Sequence, residues 1–173
     1  SRRAFVRVLS LAALLSFATV ARSQELPEYR LKAAFVYNFI AYTEWPAATG
    51  TALNLCIYGN DPFGTDIDGL QGKVAAGRQI AVHRKAAGEP LKDCQVVFVA
   101  PSAIESLPRV LEGLKRRPSL TVADSSGAMR RGVMLNMNMV QGKVTFEANL
   151  QAAREAGLDL SSKLLRLATE VQQ

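Results

Sequence analysis

The stretch LPEYRLKAAFVYNFIAYTEWP, residues Leu26–Pro46, sets how this chain begins to fold. Pro27 suits the first turn of a helix, where its missing N–H has no partner to lose. Apolar side chains then recur at helical spacing, at Leu31, Ala34, Phe35, Phe39 and Tyr42. The pattern predicts an aromatic-rich helix over residues 27–44, followed by Trp45 and Pro46.

Short apolar segments follow this helix and are typical of buried strands. Residues 52–58 (ALNLCIY) run into the turn residues Gly59-Asn60-Asp61-Pro62, which predicts a strand entering a turn. Residues 95–100 (QVVFVA) are continuously apolar, as expected of a strand covered on both faces. Residues 79–84 alternate and residues 120–123 form another short apolar run, so we predict a strand at each.

Helical segments separate these strands. Residues 65–70 predict a brief helix, and Ser102 can cap a second one that reaches residue 114 with a kink at Pro108. Residues 133–140 and 143–148 flank Gln141-Gly142 and predict a β-hairpin.

The chain is predicted to end in helices. Residues 150–156 form one that stops at Gly157, and Ser161 or Ser162 caps the last. This last helix places four apolar side chains on one side: Leu164, Leu167, Ala168 and Val171. The order of elements predicts a single-domain α/β fold, a mixed β-sheet sandwiched by helices in three layers (α/β/α), with a C-terminal β-hairpin and terminal helices.

The first 23 residues have the three parts of an export signal: arginines without an acid, an apolar run over residues 8–20, and a small-residue exit. We predict that residues 1–23 are a signal peptide and that residues 24–173 are one exported domain. The Sec route is expected, and Arg2-Arg3 leaves the twin-arginine route as the alternative. Removing the signal takes away four of 21 basic residues and none of 15 acidic ones, so the formal charge falls from +6 to +2. A nearly neutral chain gives little electrostatic reason to expect nucleic-acid binding.

The two cysteines, Cys56 and Cys94, lie in a chain that we predict to be exported, where disulfides form and persist. An even pair in this setting favours a bridge over two free thiols. The sequence has no CxxC motif, one histidine and no carboxylate cluster with ligand spacing. We therefore predict no metal and no cofactor.

Neither candidate for chemistry in the first half of the chain indicates an enzyme. The loop from Gly59 to Gly64 lacks the lysine and the spacing of a P-loop, so a structural turn is favoured over an anion site. His83 lies on the polar side of an alternating strand, and no Ser or Cys beside a base can be identified. We expect this histidine to be exposed and non-catalytic.

The methionine-rich stretch AMRRGVMLNMNMV, which contains all four methionines, offers a candidate binding surface. Methionine side chains are flexible and polarisable, so they suit an adaptable apolar contact with a partner or ligand. Met134 and Met137 are therefore candidate binding residues. The alternative is that strand alternation sends Leu135, Met137 and Met139 into the core. Arg130 can meet an acidic partner or remain solvated.

Glu147 is a second candidate, because it lies within an apolar strand on the face opposite Phe146. A carboxylate that is buried there needs a partner, which Arg154 or Arg166 can supply. A structural ion pair and a binding role are both open. Asn149, which opens the following helix, joins Glu147 and Arg166 as a candidate binding residue.

Long, ordered motifs identify a family resemblance. They are LKAAFVYNFIAYTEWP, LCIYGNDPFG, GRQIAV, DCQVVFVA, LTVAD, GVMLNM and VTFEANLQAAREAGLDLSSKLLRLA. Together they resemble the YfiR family of periplasmic regulators. The resemblance implies a compact α/β periplasmic protein, dimeric, with Cys56 and Cys94 as its disulfide pair.

The resemblance also implies a function. Such a protein restrains an inner-membrane diguanylate cyclase by binding its periplasmic part and so lowers cyclic-di-GMP, and an OmpA-like outer-membrane lipoprotein relieves the restraint. The alternative is a periplasmic small-ligand binding or sensor protein. We expect a homodimer formed through apolar helix surface, with Tyr37, Phe39 and Tyr42 as candidates for exposure.

Overall fold

The structure, a computed structural model, describes residues 28–173, so the predicted signal peptide (1–23) and the helical start at Pro27 lie outside the described residues. The helices of this part are α1 (Glu28–Ala41), α2 (Thr65–Asp68), α3 (Leu107–Gly113), α4 (Leu150–Glu155) and α5 (Ser162–Leu165). The strands are β1 (Thr43–Glu44), β2 (Ala52–Tyr58), β3 (Val74–Ala75), β4 (Arg78–Lys85), β5 (Val96–Val99), β6 (Leu120–Ala123), β7 (Leu135–Val140), β8 (Lys143–Asn149), β9 (Asp159–Leu160) and β10 (Glu170–Gln172).

Eight strands form one mixed sheet in the order β10-β8-β7-β6-β5-β2-β4-β3. β2 lies in parallel between β4 and β5, and the parallel run continues through β6 to β7. β7 and β8 form the predicted antiparallel hairpin, which turns at Gln141-Gly142. β1 and β9 pair separately as a small antiparallel sheet.

Helices cover both faces of the large sheet. Neighbouring residues of one strand show this, because successive side chains of a strand point to opposite faces. In β2, Leu55 lies in the core cluster that contains residues of α1, and Cys56 lies in the cluster that contains residues of α3. α1 and α3 therefore occupy opposite sides of the sheet. The predicted three-layer α/β/α fold is confirmed.

The disulfide between Cys56 and Cys94 is present, with a Cα–Cα distance of 5.9 Å. Both residues are buried on the α3 side of the sheet. The bridge ties β2 to the segment that leads into β5. A stable disulfide fits an oxidising compartment.

The prediction for the C-terminus is wrong beyond Leu165. Ser161 caps α5 as expected, accepting a hydrogen bond from the Leu164 backbone N at 3.2 Å. The chain then becomes extended and β10 pairs in parallel with β8, so that Glu170 lies opposite Glu147. The unpaired edge of β8 explains the difference, because its backbone groups need partners and short helices are marginal.

Two further expectations about α1 need correction. The helix ends at Ala41 rather than residue 44, because the chain turns into β1 and pairs with β9. Phe39 is fully buried, and its ring centroid lies 5.0 Å from that of Phe146. Phe39 therefore contributes to the core and not to an exposed surface, whereas Tyr42 is 41% exposed.

Candidate functional site

The connection between β6 and β7 consists of residues Asp124–Met134, and we call it the β6–β7 segment. Four of the six predicted binding residues lie on it or directly beside it: Arg130, Met134, Glu147 and Asn149. A parallel pair of strands is usually joined by a crossover helix. Here the connection is a series of turns, which are held by hydrogen bonds such as that from Val133 N to Ala128 O at 3.1 Å. Gly132 has a φ of 110° and packs so closely on α3 that a Cβ would lie 2.9 Å from Leu111 Cδ1. Both features require glycine at this position.

Asn149 anchors the β6–β7 segment. Its backbone N donates to the Met134 carbonyl at 2.7 Å, and its Nδ2 donates to the Met129 carbonyl at 3.2 Å. Its Oδ1 accepts from Ala152 N at 2.9 Å and so caps α4. One buried amide therefore fixes the segment, the end of β8 and the start of α4 relative to each other.

Glu147 and Asn136 are cross-strand neighbours on β8 and β7. Asn136 is fully buried and donates from Nδ2 to the Ser125 carbonyl at 2.9 Å and to Glu147 Oε2 at 3.5 Å. Among residues 28–173, Glu147 forms no ion pair, so of the two alternatives left open by the sequence, the ion pair with Arg154 or Arg166 is absent. The half-buried carboxylate instead completes the contacts of a buried amide and retains acceptor capacity toward solvent.

Asp124 begins the β6–β7 segment and points to the α1 side. Its side chain is 1% exposed, and its Oδ2 accepts hydrogen bonds from Lys32 Nζ and from the Tyr29 hydroxyl, both at 2.8 Å. Lys32 also pairs with Glu28, one helical turn earlier. Burial, and then the hydrogen bond donated to Asp124, raise the pKa of Tyr29 well above its usual range, so the hydroxyl remains a donor.

Two buried acceptor atoms lie at this end of the sheet. Asp124 Oδ1 and Asn136 Oδ1 have no hydrogen-bond partner among the described residues. Such an atom is costly unless water or a ligand donates a hydrogen bond to it. Sequence reasoning missed Lys32, Asp124 and Asn136, although an acid that directly follows a buried strand, as in LTVAD, is a usable signal.

The remaining predicted residues lie in different environments. Arg130 is 74% exposed and its Nη2 lies 3.4 Å from Glu170 Oε1, a surface pair of little energetic weight. Met134 is the last residue of the segment and is mostly buried, with its remaining surface lining a cleft beside α3. Met137 is fully buried in the core on the α1 side, so its side chain is not offered to a partner. Arg166 is exposed at the end of α5.

The polar groups of this region border a cleft. A cleft of about 270 Å³ lies between the β6–β7 segment and α4, lined by Arg130, Arg131, Asn149, Gln151 and Glu155 among others.

Within the described residues, no group of three His, Cys, Asp or Glu side chains is arranged to hold a metal. His83 is exposed on β4, where its Nε2 lies 3.1 Å from Asn54 Oδ1.

A helix able to cross a bilayer is not found between residues 28 and 173.

Comparison with known proteins gives a family and a fold. The family model described as YfiR/HmsC-like matches residues 29–169. A solved conserved domain protein from Vibrio cholerae O1 biovar El Tor is similar in fold, with a TM-score of 0.56 at 10% identity, over 84% of this chain and 60% of that one. A Streptococcus pneumonia ABC domain in complex with L-Trp gives a TM-score of 0.54 at 10% identity, over 78% of this chain and 58% of that one. This chain thus spans less than two thirds of either protein, and both likenesses concern the fold alone.

Proposed function

The chain belongs to the YfiR/HmsC-like family, and from this premise we propose that it is a periplasmic regulator of cyclic-di-GMP signalling. In this proposal it restrains an inner-membrane diguanylate cyclase by binding the cyclase's periplasmic part. An OmpA-like outer-membrane lipoprotein relieves the restraint by competing for the regulator. The observation that carries the proposal is the family match over nearly all described residues.

The site supports a binding role. Its groups are amides, carboxylates and arginines anchored to the end of a rigid sheet, an arrangement that displays a defined polar surface. A regulator of this kind acts by binding one state of its partner more tightly than the other. Loss of the regulator must then shift the cyclase toward its active state.

A periplasmic small-ligand sensor is the second candidate function. It is favoured by the two clefts that flank the β6–β7 segment, of about 270 and 310 Å³, near the lower end of the volumes that small molecules occupy. In that case the ligand would set the output, and the protein without ligand would have no fixed effect on a cyclase.

Deletion of the gene followed by quantification of cyclic-di-GMP tests the primary proposal. We expect the level to rise, and we expect the exported form to restore it. A form that begins at residue 24, and so lacks the predicted signal peptide, is the matched control and should not restore it. An unchanged level after deletion, or equal restoration by both forms, contradicts a periplasmic repressor.

We also propose that the protein is a homodimer. Tyr42 and Leu167 are 41% and 71% exposed. Large exposed apolar side chains of this kind favour an interface between two copies of the chain. Light scattering across micromolar concentrations measures the mass directly. A monomer mass throughout this range rejects the dimer.

A further inference from the structure

Two basic runs that are separate in sequence border two adjoining clefts. Lys115-Arg116-Arg117 follows α3, and Arg130-Arg131 belongs to the β6–β7 segment. Between α3 and α4 lies a cleft of about 310 Å³, which we call the α3–α4 groove. Lys115 and Arg116 line it, and it shares Gly132, Ala152 and Glu155 with the cleft lined by both arginines of the second run.

The floor of the α3–α4 groove is apolar and firmly held. Leu111 and Leu114 of the α3 region face Met134 and Ala152 across it. Met134 is fixed by its backbone N, which donates to Thr121 Oγ1 at 3.0 Å. The close contact of Gly132 with Leu111 joins the second basic run to α3. The groove is therefore a formed feature of the fold.

The charge along the groove and its adjoining cleft is mainly positive, and of the two basic runs only Lys115 and Arg130 form ion pairs within residues 28–173, both at the surface. Within residues 28–173, Arg116, Arg117 and Arg131 take part in no ion pair, and Lys115 makes only an exposed contact of 3.9 Å with Glu112. Arg131 Nη2 instead donates to the Ile104 carbonyl at 3.3 Å. Glu155 is the acid that lines the groove, and its Oε1 is engaged by Gln151 Nε2 at 2.9 Å.

We propose that the α3–α4 groove docks an acidic segment of a protein partner. One apolar side chain of that segment lies on the floor formed by Leu111 and Met134, and its carboxylates face Arg116 and Arg131. Arginine is suited to this task because its planar fork binds a carboxylate through two hydrogen bonds. The identification of that segment with the periplasmic part of the restrained cyclase rests on the proposed function.

Binding of a labelled peptide to the purified protein, measured by fluorescence anisotropy, tests the groove itself. The probe is a short peptide of Glu and Asp residues around one central Leu. We expect Leu→Ser in the peptide to weaken binding about tenfold, since a buried leucine side chain is lost. A peptide with Lys in place of the acids should not bind. Added salt should weaken the binding of the acidic peptide to the protein.

The protein variant R116E/R131E should abolish binding of the acidic peptide, because it places two carboxylates beside the ligand. The matched control K73E/K163E makes the same change of charge at two exposed positions outside the groove and should bind as the unchanged protein does. If R116E/R131E fails to fold by circular dichroism, Ala152→Glu, at a half-buried position of α4 that lines the groove, takes its place. Equal loss in the control variant, or equal binding of the Ser or Lys peptides, overturns the proposal.

The same variants measured for cyclic-di-GMP in cells separate this proposal from the proposed function. If deletion raises cyclic-di-GMP and the groove variants bind peptide and repress normally, the groove proposal is wrong and the regulator remains. If the acidic peptide binds the groove but deletion changes nothing, the docking groove remains and the cyclase assignment is wrong.

Discussion

The two halves of the sheet are stabilised in different ways. Around β2 and β5 the interior is apolar on both faces, as Leu55 and Val97 show, and the Cys56–Cys94 disulfide ties the strands together. Around β7 and β8 the interior contains polar side chains, including Asn136 and Asn149, whose hydrogen bonds fix the β6–β7 segment. The first half is a scaffold. The second uses directional contacts, which specify one arrangement and tolerate few substitutions.

Removal of the disulfide should give the largest effect and should fall on the scaffold half. The bridge closes a sequence separation of 38 residues, for which the chain-entropy model gives about 4 kcal/mol of stabilisation. We expect the double variant C56S/C94S to lose about this much free energy of unfolding in urea. Because the hydrogen bonds of Asn149 and Thr121 still hold the β6–β7 segment, the folded double variant should still bind the acidic peptide. A loss below about 1 kcal/mol would show that the apolar packing alone holds this half.

Breaking the buried ion pair should give the next largest effect, on the polar half. Lys32→Met leaves the Asp124 carboxylate buried without its cation, which costs about 3 kcal/mol, at the low end for such sites because Tyr29 still donates to it. Glu28→Gln is the matched control, since Glu28 is 45% exposed and pairs with the same lysine. We expect the control to cost less than about 1 kcal/mol in urea unfolding. Similar costs for both variants would mean that burial of Asp124 carries no special penalty.

Two helix caps allow a direct comparison between an anchoring residue and an ordinary cap. Asn149→Ala removes the cap of α4 and also leaves the Met129 carbonyl without its donor, so we expect a cost of about 2 kcal/mol. Ser161→Ala removes only the cap of α5 and should cost about 1 kcal/mol or less. Hydrogen exchange should show faster exchange of the β6–β7 segment in the first variant alone. Loosening of that segment in both variants would contradict the anchoring role of Asn149.

The scaffold half was readable from sequence because its signals are local. The bounds of β2, Ala52–Tyr58, and of β6, Leu120–Ala123, match the predicted strands, since continuous apolar runs between turn residues leave few alternatives. β10 was missed because the segment Glu170–Gln172 has no strand pattern of its own. Its conformation comes from pairing with β8, which is a tertiary effect.

The site shows the same division. Glu147 and Asn149 were identifiable because polar residues within or directly after an apolar strand stand out. The pair formed by Lys32 and Asp124 was not, because 92 residues separate the partners and helical spacing gives no reason to bury a lysine. The partner of a buried polar group can be identified only from the fold. A polar residue that is unusual within a strand can be identified from the sequence alone.

The smallest expected effect on stability tests whether the polar half has a function beyond its structure. Glu147→Gln keeps an acceptor oxygen for Asn136 and breaks no ion pair within residues 28–173, so the free energy of unfolding should change by less than about 0.5 kcal/mol. The change removes one negative charge from a half-buried position beside Asn136, outside the α3–α4 groove. If this carboxylate contacts the partner, cyclic-di-GMP should rise toward the level of the deletion strain. Glu105→Gln, an exposed acid before α3, makes the same chemical change elsewhere and should leave cyclic-di-GMP unchanged. Equal cyclic-di-GMP levels in the two variants would assign Glu147 a purely structural role, and the comparison of the two halves would then concern folding alone.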